Sequence, residues 1–293
     1  MSDKKDKHKS AVETLGFKRP DASKLLFEII DLNNPERDIP DTYHRHDFFE
    51  VVVIFEGATE HLVDFKAYTV KKNEILVIPQ NSIHHGGFKE KLIGYIILFT
   101  KDFFTAEQFK YVAALEIFNA SYGDYLLRFN EKEWDEMYPL LTAVVREYAA
   151  QKETLDSYTL RFLLLAFNTK LNTLLNNSGK RLLSNGVTRT FFELLENNYV
   201  KEHSVVFYCD KLNITPKKLA QTLLHATGKT TMALIIERLI LEAKRELLFS
   251  QKTIKEIAFY LGFEDQLYFS KYFKKYTGLP PQSIRKEAAK ISI

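Results

Sequence analysis

Of 293 residues only one is a cysteine, Cys209, so no internal disulfide can form and a disulfide-stapled secreted scaffold is excluded. No apolar run approaches the roughly 20 residues that a membrane-spanning helix requires. The opening, Met1-Ser2-Asp3-Lys4-Lys5-Asp6-Lys7-His8-Lys9, carries charge without the apolar core of a signal peptide. These absences point to a soluble cytoplasmic protein, with residues 1–22 read as a mobile tail. A large net charge is missing as well, the formal value being only +3. Its distribution is more telling than its size. Residues 188–293 hold 17 Lys plus Arg against 11 Asp plus Glu, whereas residues 1–187 hold 24 against 27. A basic half beside an acidic half indicates one domain that faces nucleic acid and one that does not. The length is enough for two cores.

What is present is a short pattern written twice near the C-terminus. One copy runs from Ser204 through Thr215 to Gly228, the other from Thr253 through Glu264 to Gly278. Each opens on a hydroxyl residue, Ser204 or Thr253, able to cap a helix by accepting a bond from an orphan amide. Each first helix then meets a residue suited to the left-handed conformation, Asn213 or Gly262, followed by an apolar residue, Ile214 or Phe263, that tucks under the corner. A second helix starts at Thr215-Pro216 in one copy and at Glu264-Asp265 in the other, with Asp265 as the alternative cap. The pattern predicts two helix-turn-helix units.

The second helix of each unit has an apolar stripe, Leu219, Leu223 and Leu224 in one and Phe269, Tyr272 and Phe273 in the other. The remaining face is basic and amide-bearing, which suits a DNA major groove, where Lys meets phosphate or guanine and Gln pairs with adenine. Lys217, Lys218, Gln221, Thr222 and His225 are the candidate DNA contacts of the first unit. Asp265, Gln266, Tyr268, Lys271, Lys274 and Lys275 are those of the second. Between the units, Thr231 to Leu248 carries Met232, Ile235, Ile236, Leu239, Ala243, Leu247 and Leu248 at helical spacing. Such a rigid connector would hold two recognition helices about one DNA turn apart, roughly 34 Å, as successive major-groove segments demand.

These residues resemble the AraC/XylS-type transcription regulators. The resemblance covers the whole C-terminal domain and is carried by Arg238-Leu239, Glu242-Ala243-Lys244 and Leu247-Leu248 in the connector. It continues through Ile254, Glu256-Ile257-Ala258, Leu261-Gly262-Phe263, Asp265-Gln266, Tyr268-Phe269-Ser270, Phe273-Lys274-Lys275, Gly278, Pro281 and Arg285. It implies a pair of helix-turn-helix units bridged by a long helix, binding DNA asymmetrically. The chain departs from the pattern at four places. Lys271 stands where Arg is usual, keeping the charge without the bidentate fork. Ala220-Gln221 replaces a Ser-Arg pair, Ile284 a tyrosine and Cys209 an alanine. The first three alter base preference rather than fold, and Cys209 reads as a small core residue.

Ahead of the DNA-facing half, Asn176-Asn177-Ser178-Gly179-Lys180-Arg181 through Asn185-Gly186 interrupts two helical patterns and reads as a linker over residues 178–187. Strand-like runs occupy Phe48–Phe55, Glu60–Phe65, Glu74–Pro79 and Leu92–Phe99, divided by Gly57, Lys72-Asn73 and Gly86-Gly87. They predict a cupin-like β-barrel or sandwich over residues 23–120. Helical periodicity follows in Trp134, Tyr138, Leu141, Val145 and Tyr148, then in Leu160, Phe162, Leu163, Leu164, Phe167, Leu171 and Leu175. The last helix is apolar around more of its circumference than one core contact needs. Residues 121–177 are therefore expected to pair two chains, as the resemblance also implies.

The barrel leaves alternatives open. His44 and His46 alternate on one strand face, Glu50 follows, and His84-His85 come after Pro79. This spacing resembles the cupin signature, in which His44, His46, Glu50 and His84 would hold Fe, Mn, Ni or Zn. The later half of that signature is degraded, with Asn73 and Asn81 in place of glycines. The same segment resembles the non-catalytic sensor barrel of AraC-type regulators. On that reading His46 and Glu50 are structural, and Tyr43, His44, His61, Tyr68, His84 and His85 line an effector pocket. Surface or core-edge polar residues with no ligand are the third possibility. Together these features predict an α+β protein with an all-α C-terminal DNA-binding domain over residues 188–293. It would act as a sequence-specific, non-enzymatic regulator of promoter DNA, homodimeric, without cofactor, answering to a small molecule or partner and, as an activator, to RNA polymerase. A metal-dependent cupin enzyme fused to a DNA-binding domain is the competing expectation.

Overall fold

A computed structural model of the protein describes residues 13–15, 26–34, 39–40, 42–87, 92–113, 115–118, 125–150, 158–177 and 186–291. The chain divides into two compact units, one of residues 14–189 and the other of residues 190–293 together with Glu13, so that the main break falls between Arg189 and Thr190.

The N-terminal unit is a sandwich of two five-stranded sheets. Its strands are β1 (Glu13–Leu15), β2 (Phe27–Asp31), β3 (His44–His46), β4 (Phe49–Glu56), β5 (Ala58–Val63), β6 (Lys66–Lys71), β7 (Glu74–Ile78), β8 (His84–Gly87), β9 (Ile93–Phe99) and β10 (Leu126–Arg128). One sheet has the order β1-β3-β8-β5-β6 and the other β10-β7-β4-β9-β2. The sequence Phe-Glu-Val-Val-Val-Ile-Phe of β4 is buried on both faces because the strand lies between two layers. Val52 and Ile54 meet Val63, Val70, Leu76, Ile78 and Ile96 between the sheets. Phe49, Val51 and Val53 face a separate core shared with Trp134, Met137, Leu141, Leu164 and Phe167. These last residues belong to α2 (Glu131–Ala150) and α3 (Tyr158–Asn177), which follow the short α1 (Ala106–Ala113). Gly94 is required where β9 meets β4, since a Cβ there would lie 2.2 Å from the Val53 carbonyl oxygen.

The strand expectations hold for β4, β5, β7 and β9, with several corrections. Glu13–Leu15 forms a strand within the expected tail, of which the rest lies outside the described residues. Gly86-Gly87 is not a turn but the end of β8, paired with His61 and Glu60 of β5. β10 falls inside the stretch read as helical, and it pairs with β7 through Leu126↔Leu76 and Leu127↔Ile75. A sensor boundary at residue 120 therefore severs one strand from its sheet. Linker residues 178–185 lie outside the described residues, while Gly186 and Val187 already begin the next helix.

The C-terminal unit is all helix: α4 (Gly186–Asn198), whose first turn precedes the break, then α5 (Val205–Leu212), α6 (Pro216–Thr227), α7 (Thr231–Phe249), α8 (Ile254–Tyr260), α9 (Gln266–Thr277) and α10 (Pro281–Ile291). The predicted starts and stops are present. Ser204 accepts from the Val206 amide, and Thr253 and Glu256 form a reciprocal capping box. Asn213 and Gly262 turn the corners at φ 52° and 77°. Asp265, not Glu264, caps α9, accepting from the Tyr268 amide at 2.7 Å.

The connector α7 is more polar inside than its apolar spacing implies. Arg238, Glu242, Arg245 and Glu246 are buried beside Leu234, Ile235, Leu239 and Leu247, whereas Met232 is exposed. Arg238 Nε donates to both Glu196 carboxylate oxygens of α4 at 3.0 and 2.9 Å. Its Nη1 and that of Arg245 both donate to Glu242 Oε2, at 3.1 and 3.2 Å. The Arg238 guanidinium also lies 3.7 Å from the centre of the Tyr199 ring. Buried charges are tolerated only when paired in this way.

Candidate nucleic-acid interface and inter-sheet histidine cluster

Two groups of residues are built for chemistry. The first is the pair of exposed faces on α6 and α9. Thr215 caps α6 through the Lys218 amide at 3.3 Å, with Pro216 at the first helical position. Leu219 and Leu223 are fully buried, so the helix presents Lys217, Lys218, Gln221 and His225 to solvent, with Thr222 half-buried at the edge. Leu224, expected in the apolar stripe, is instead 52% exposed on that outer face. On α9, Phe269 and Phe273 are buried, and Lys271, Lys274 and Lys275 are exposed. Gln266 is half-buried, and the Asp265 carboxylate is occupied as the cap. Tyr268 is exposed, yet its ring packs with Phe263 at 5.9 Å and Tyr272 at 6.4 Å, and Tyr272 continues to Tyr276 at 4.8 Å. The sequence reading missed Leu267, which is 69% exposed and shares a face with Lys271 and Lys274 by helical spacing. The available signal was an apolar residue standing off the Phe269–Phe273 stripe. Cys209 is 3% exposed, and burial raises its thiol pKa, as befits a core residue.

The second group lies between the sheets. His44 and His46 on β3, His84 on β8, and His61 and Tyr68 on β5 and β6 all turn into the sandwich from one sheet, and Glu50 of β4 faces them from the other. The pairings His44↔His84 and Val63↔His84 bring β3, β8 and β5 into register. Glu50 Oε2 lies 3.1 Å from His46 Nε2 and 3.3 Å from His84 Nε2. His46 Nδ1 donates to the Phe48 carbonyl at 2.7 Å, and its ring stacks on that of Phe48 with centroids 3.9 Å apart. His44 Nδ1 donates to the Thr42 carbonyl at 2.8 Å, and its ring centre is 4.2 Å from that of His84. Burial, then the neighbouring His84, lowers the His44 pKa to about 4; burial chiefly does the same for His61, also to about 4. For Glu50, burial alone would raise the pKa, but His84 and His46 outweigh it and hold the carboxyl well below its usual range.

Of the residues expected in an effector pocket, His44, His61, Tyr68 and His84 point inward together. Tyr43 and His85 do not join them: both are half-buried and pack on each other at 5.3 Å, with His85 alternating to the opposite face of β8. Of the four residues in the cupin-like spacing, His46, Glu50 and His84 converge within 4.8 Å, and His44 stands outside that group. A third feature lies on the helical side of this unit, where Tyr111, Leu140, Phe162, Leu165, Ala166, Thr169, Lys170 and Thr173 line an open groove of about 570 Å³.

Among the described residues no helix is long and apolar enough to cross a membrane. Residues 26–111 match the AraC-like ligand binding domain, and residues 208–287 match a helix-turn-helix domain. The HTH-type transcriptional activator RhaS of Escherichia coli O157:H7 is 23% identical over 270 residues, covering 86% of this chain and 89% of that protein. Among solved structures, the C-terminal domain of AraT, a response regulator from Geobacillus stearothermophilus, is 25% identical with a TM-score of 0.34, covering 36% of this chain and 88% of its own. ToxT from Vibrio cholerae is 17% identical with a TM-score of 0.40, over 88% and 94% of the two chains. With the ligand-binding match on the sandwich and the helix-turn-helix match on the paired units, the chain is an AraC-type DNA-binding transcription regulator controlled through its N-terminal domain.

Proposed function

We propose that this regulator is a cytoplasmic homodimer and a non-enzymatic transcription activator, which reads double-stranded promoter DNA with α6 and α9 and assists RNA polymerase there. The exposed lysines on both second helices carry the reading. Lys217, Lys218, Lys271, Lys274 and Lys275 engage phosphates or guanine, Gln221, Gln266, Thr222 and His225 engage base edges, and Tyr268 adds an aromatic edge. Leu224 and Leu267 offer apolar surface suited to thymine methyl groups. Asp265 acts through its cap, fixing the start of α9 rather than touching DNA. Activation is carried over from the activators that the chain resembles along most of its length.

In the sandwich, His44, His61, Tyr68 and His84 are proposed to receive a small polar effector, which biases the DNA-binding arrangement by a coupling of roughly 1–3 kcal/mol. Dimerisation is assigned to α3, where Tyr158 is 65% and Phe162 56% exposed beside the groove. The test is selection of bound genomic fragments by the purified protein, then affinity for the winning fragment against its scrambled sequence at fixed salt. A preference of roughly a thousandfold or more is expected of a sequence-specific regulator. Equal affinity for both would overturn the reading in favour of non-specific binding.

A further inference from the structure

We propose that His46, Glu50 and His84 form a binding site for a divalent first-row transition-metal ion, with two imidazole nitrogens and one carboxylate oxygen as donors. The inference goes beyond the regulatory reading and does not depend on it. Its first support is the polarity of one hydrogen bond. His46 Nδ1 faces the Phe48 carbonyl oxygen at 2.7 Å. A carbonyl only accepts, so this nitrogen carries the ring proton. In the neutral ring Nε2 is then a lone pair, and it is aimed at the Glu50 carboxylate oxygen 3.1 Å away. Two acceptors at that distance repel unless a cation is shared between them.

The second support is convergence. His84 Nε2 reaches the same oxygen at 3.3 Å, and its Nδ1 is buried with no hydrogen-bond partner among the described residues. With the His84 proton on Nε2, a further proton on His46 would let Glu50 accept from both rings, whereas a metal ion would engage all three side chains directly. The donor atoms lie within 4.8 Å of one another, and the three residues are buried. Ligands bonded at about 2.1 Å stand roughly 3 Å apart when adjacent, so both contacts to Glu50 already have that spacing. The third support is the surrounding shell. A ligating histidine characteristically donates its other nitrogen to a backbone carbonyl, and the stack on Phe48 at 3.9 Å further fixes the ring. Nitrogen donors with one carboxylate favour Zn²⁺, Fe²⁺, Mn²⁺ or Ni²⁺ over Mg²⁺, which takes oxygen ligands.

The test uses tag-free, full-length protein stripped with chelator and titrated calorimetrically with Zn²⁺, then Mn²⁺, Fe²⁺ and Ni²⁺, with Mg²⁺ as control. One equivalent of Zn²⁺ should bind. Glu50→Gln, whose side-chain nitrogen in the Oε2 position can donate one hydrogen to each histidine Nε2, should keep the fold and weaken Zn²⁺ binding at least about 100-fold, since disturbing even an outer-shell partner costs about 10- to 100-fold. His84→Ala should weaken it comparably. Failure of all four transition metals to bind the folded wild type would overturn the proposal and leave a proton as the shared cation. Undiminished binding in both variants would overturn it by placing the ion elsewhere. Should a variant fail to fold, X-ray absorption at the zinc edge of the wild type decides: two imidazole ligands without sulfur support the site, and a sulfur ligand or a single imidazole sinks it. None of these readouts involves DNA, so failure here and failure of the regulatory reading are distinguishable.

Discussion

The two helix-turn-helix units reach one geometry by different chemistry. In the first, the corner is Asn213 at φ 52°; in the second it is Gly262 at φ 77°. Asparagine is among the few residues with a side chain that tolerate the left-handed region. A Cβ on Gly262 would also lie 2.5 Å from the Val200 carbonyl oxygen, so there the backbone passes too close for anything but glycine. The caps differ in the same way. Ser204 makes one bond, while Thr253 and Glu256 bond reciprocally. The second unit is the more constrained copy, and its outer face is the more aromatic, with Tyr268, Tyr272 and Tyr276 in succession.

The largest effect should come from the element shared by both units. Glu242→Ala leaves Arg238 and Arg245 without a common buried partner, for a loss of about 3–5 kcal/mol in chemical denaturation. A loss below about 1 kcal/mol would mean that the two arginines are satisfied without it. Next, Gly262→Ala combines left-handed strain with a backbone clash and should cost about 2–4 kcal/mol, whereas Asn213→Gly should be nearly neutral. Equal losses at the two corners would erase the asymmetry. On DNA, Lys271→Ala should weaken binding to the selected fragment roughly tenfold, and Lys275→Ala should lower the salt slope by about one unit. Unchanged affinity for both would remove the second unit from the interface. The smallest effect is at the caps: Thr253→Ala should cost about 1 kcal/mol and Ser204→Ala less, measured by thermal unfolding.

The units were legible because their signals are local. A cap, an apolar stripe and a left-handed residue all fall within about 20 residues, and each carries its own physical reason. The sandwich was only partly legible because its signals are pairings. Alternation placed His44 and His46 on one face, yet only the register of β3, β8 and β5 brings His61 and His84 to the same interior. Gly86-Gly87 has the composition of a turn and is held in a strand by β5. Leu126–Arg128 is too short to outweigh the helical pattern around it. Of the buried charges in α7, Arg238 and Glu242 stood out by resemblance while Arg245 and Glu246 did not, and the role of all four was hidden, since charge in a sequence is ordinarily read as solvated surface.

β10 carries a consequence for the order of events during synthesis. β7 pairs with β4 on one side and with β10 on the other, and β10 comes from residues 126–128, beyond both β9 and α1. While the chain is being made, the β7 edge has no neighbour until that short segment leaves the ribosome, by which time every other strand of both sheets has already emerged. An open edge invites pairing with other chains. The nascent sensor is therefore most prone to aggregate in the brief interval before Leu126 reaches Leu76, and a ribosome stalled just short of residue 126 would hold it in that vulnerable form.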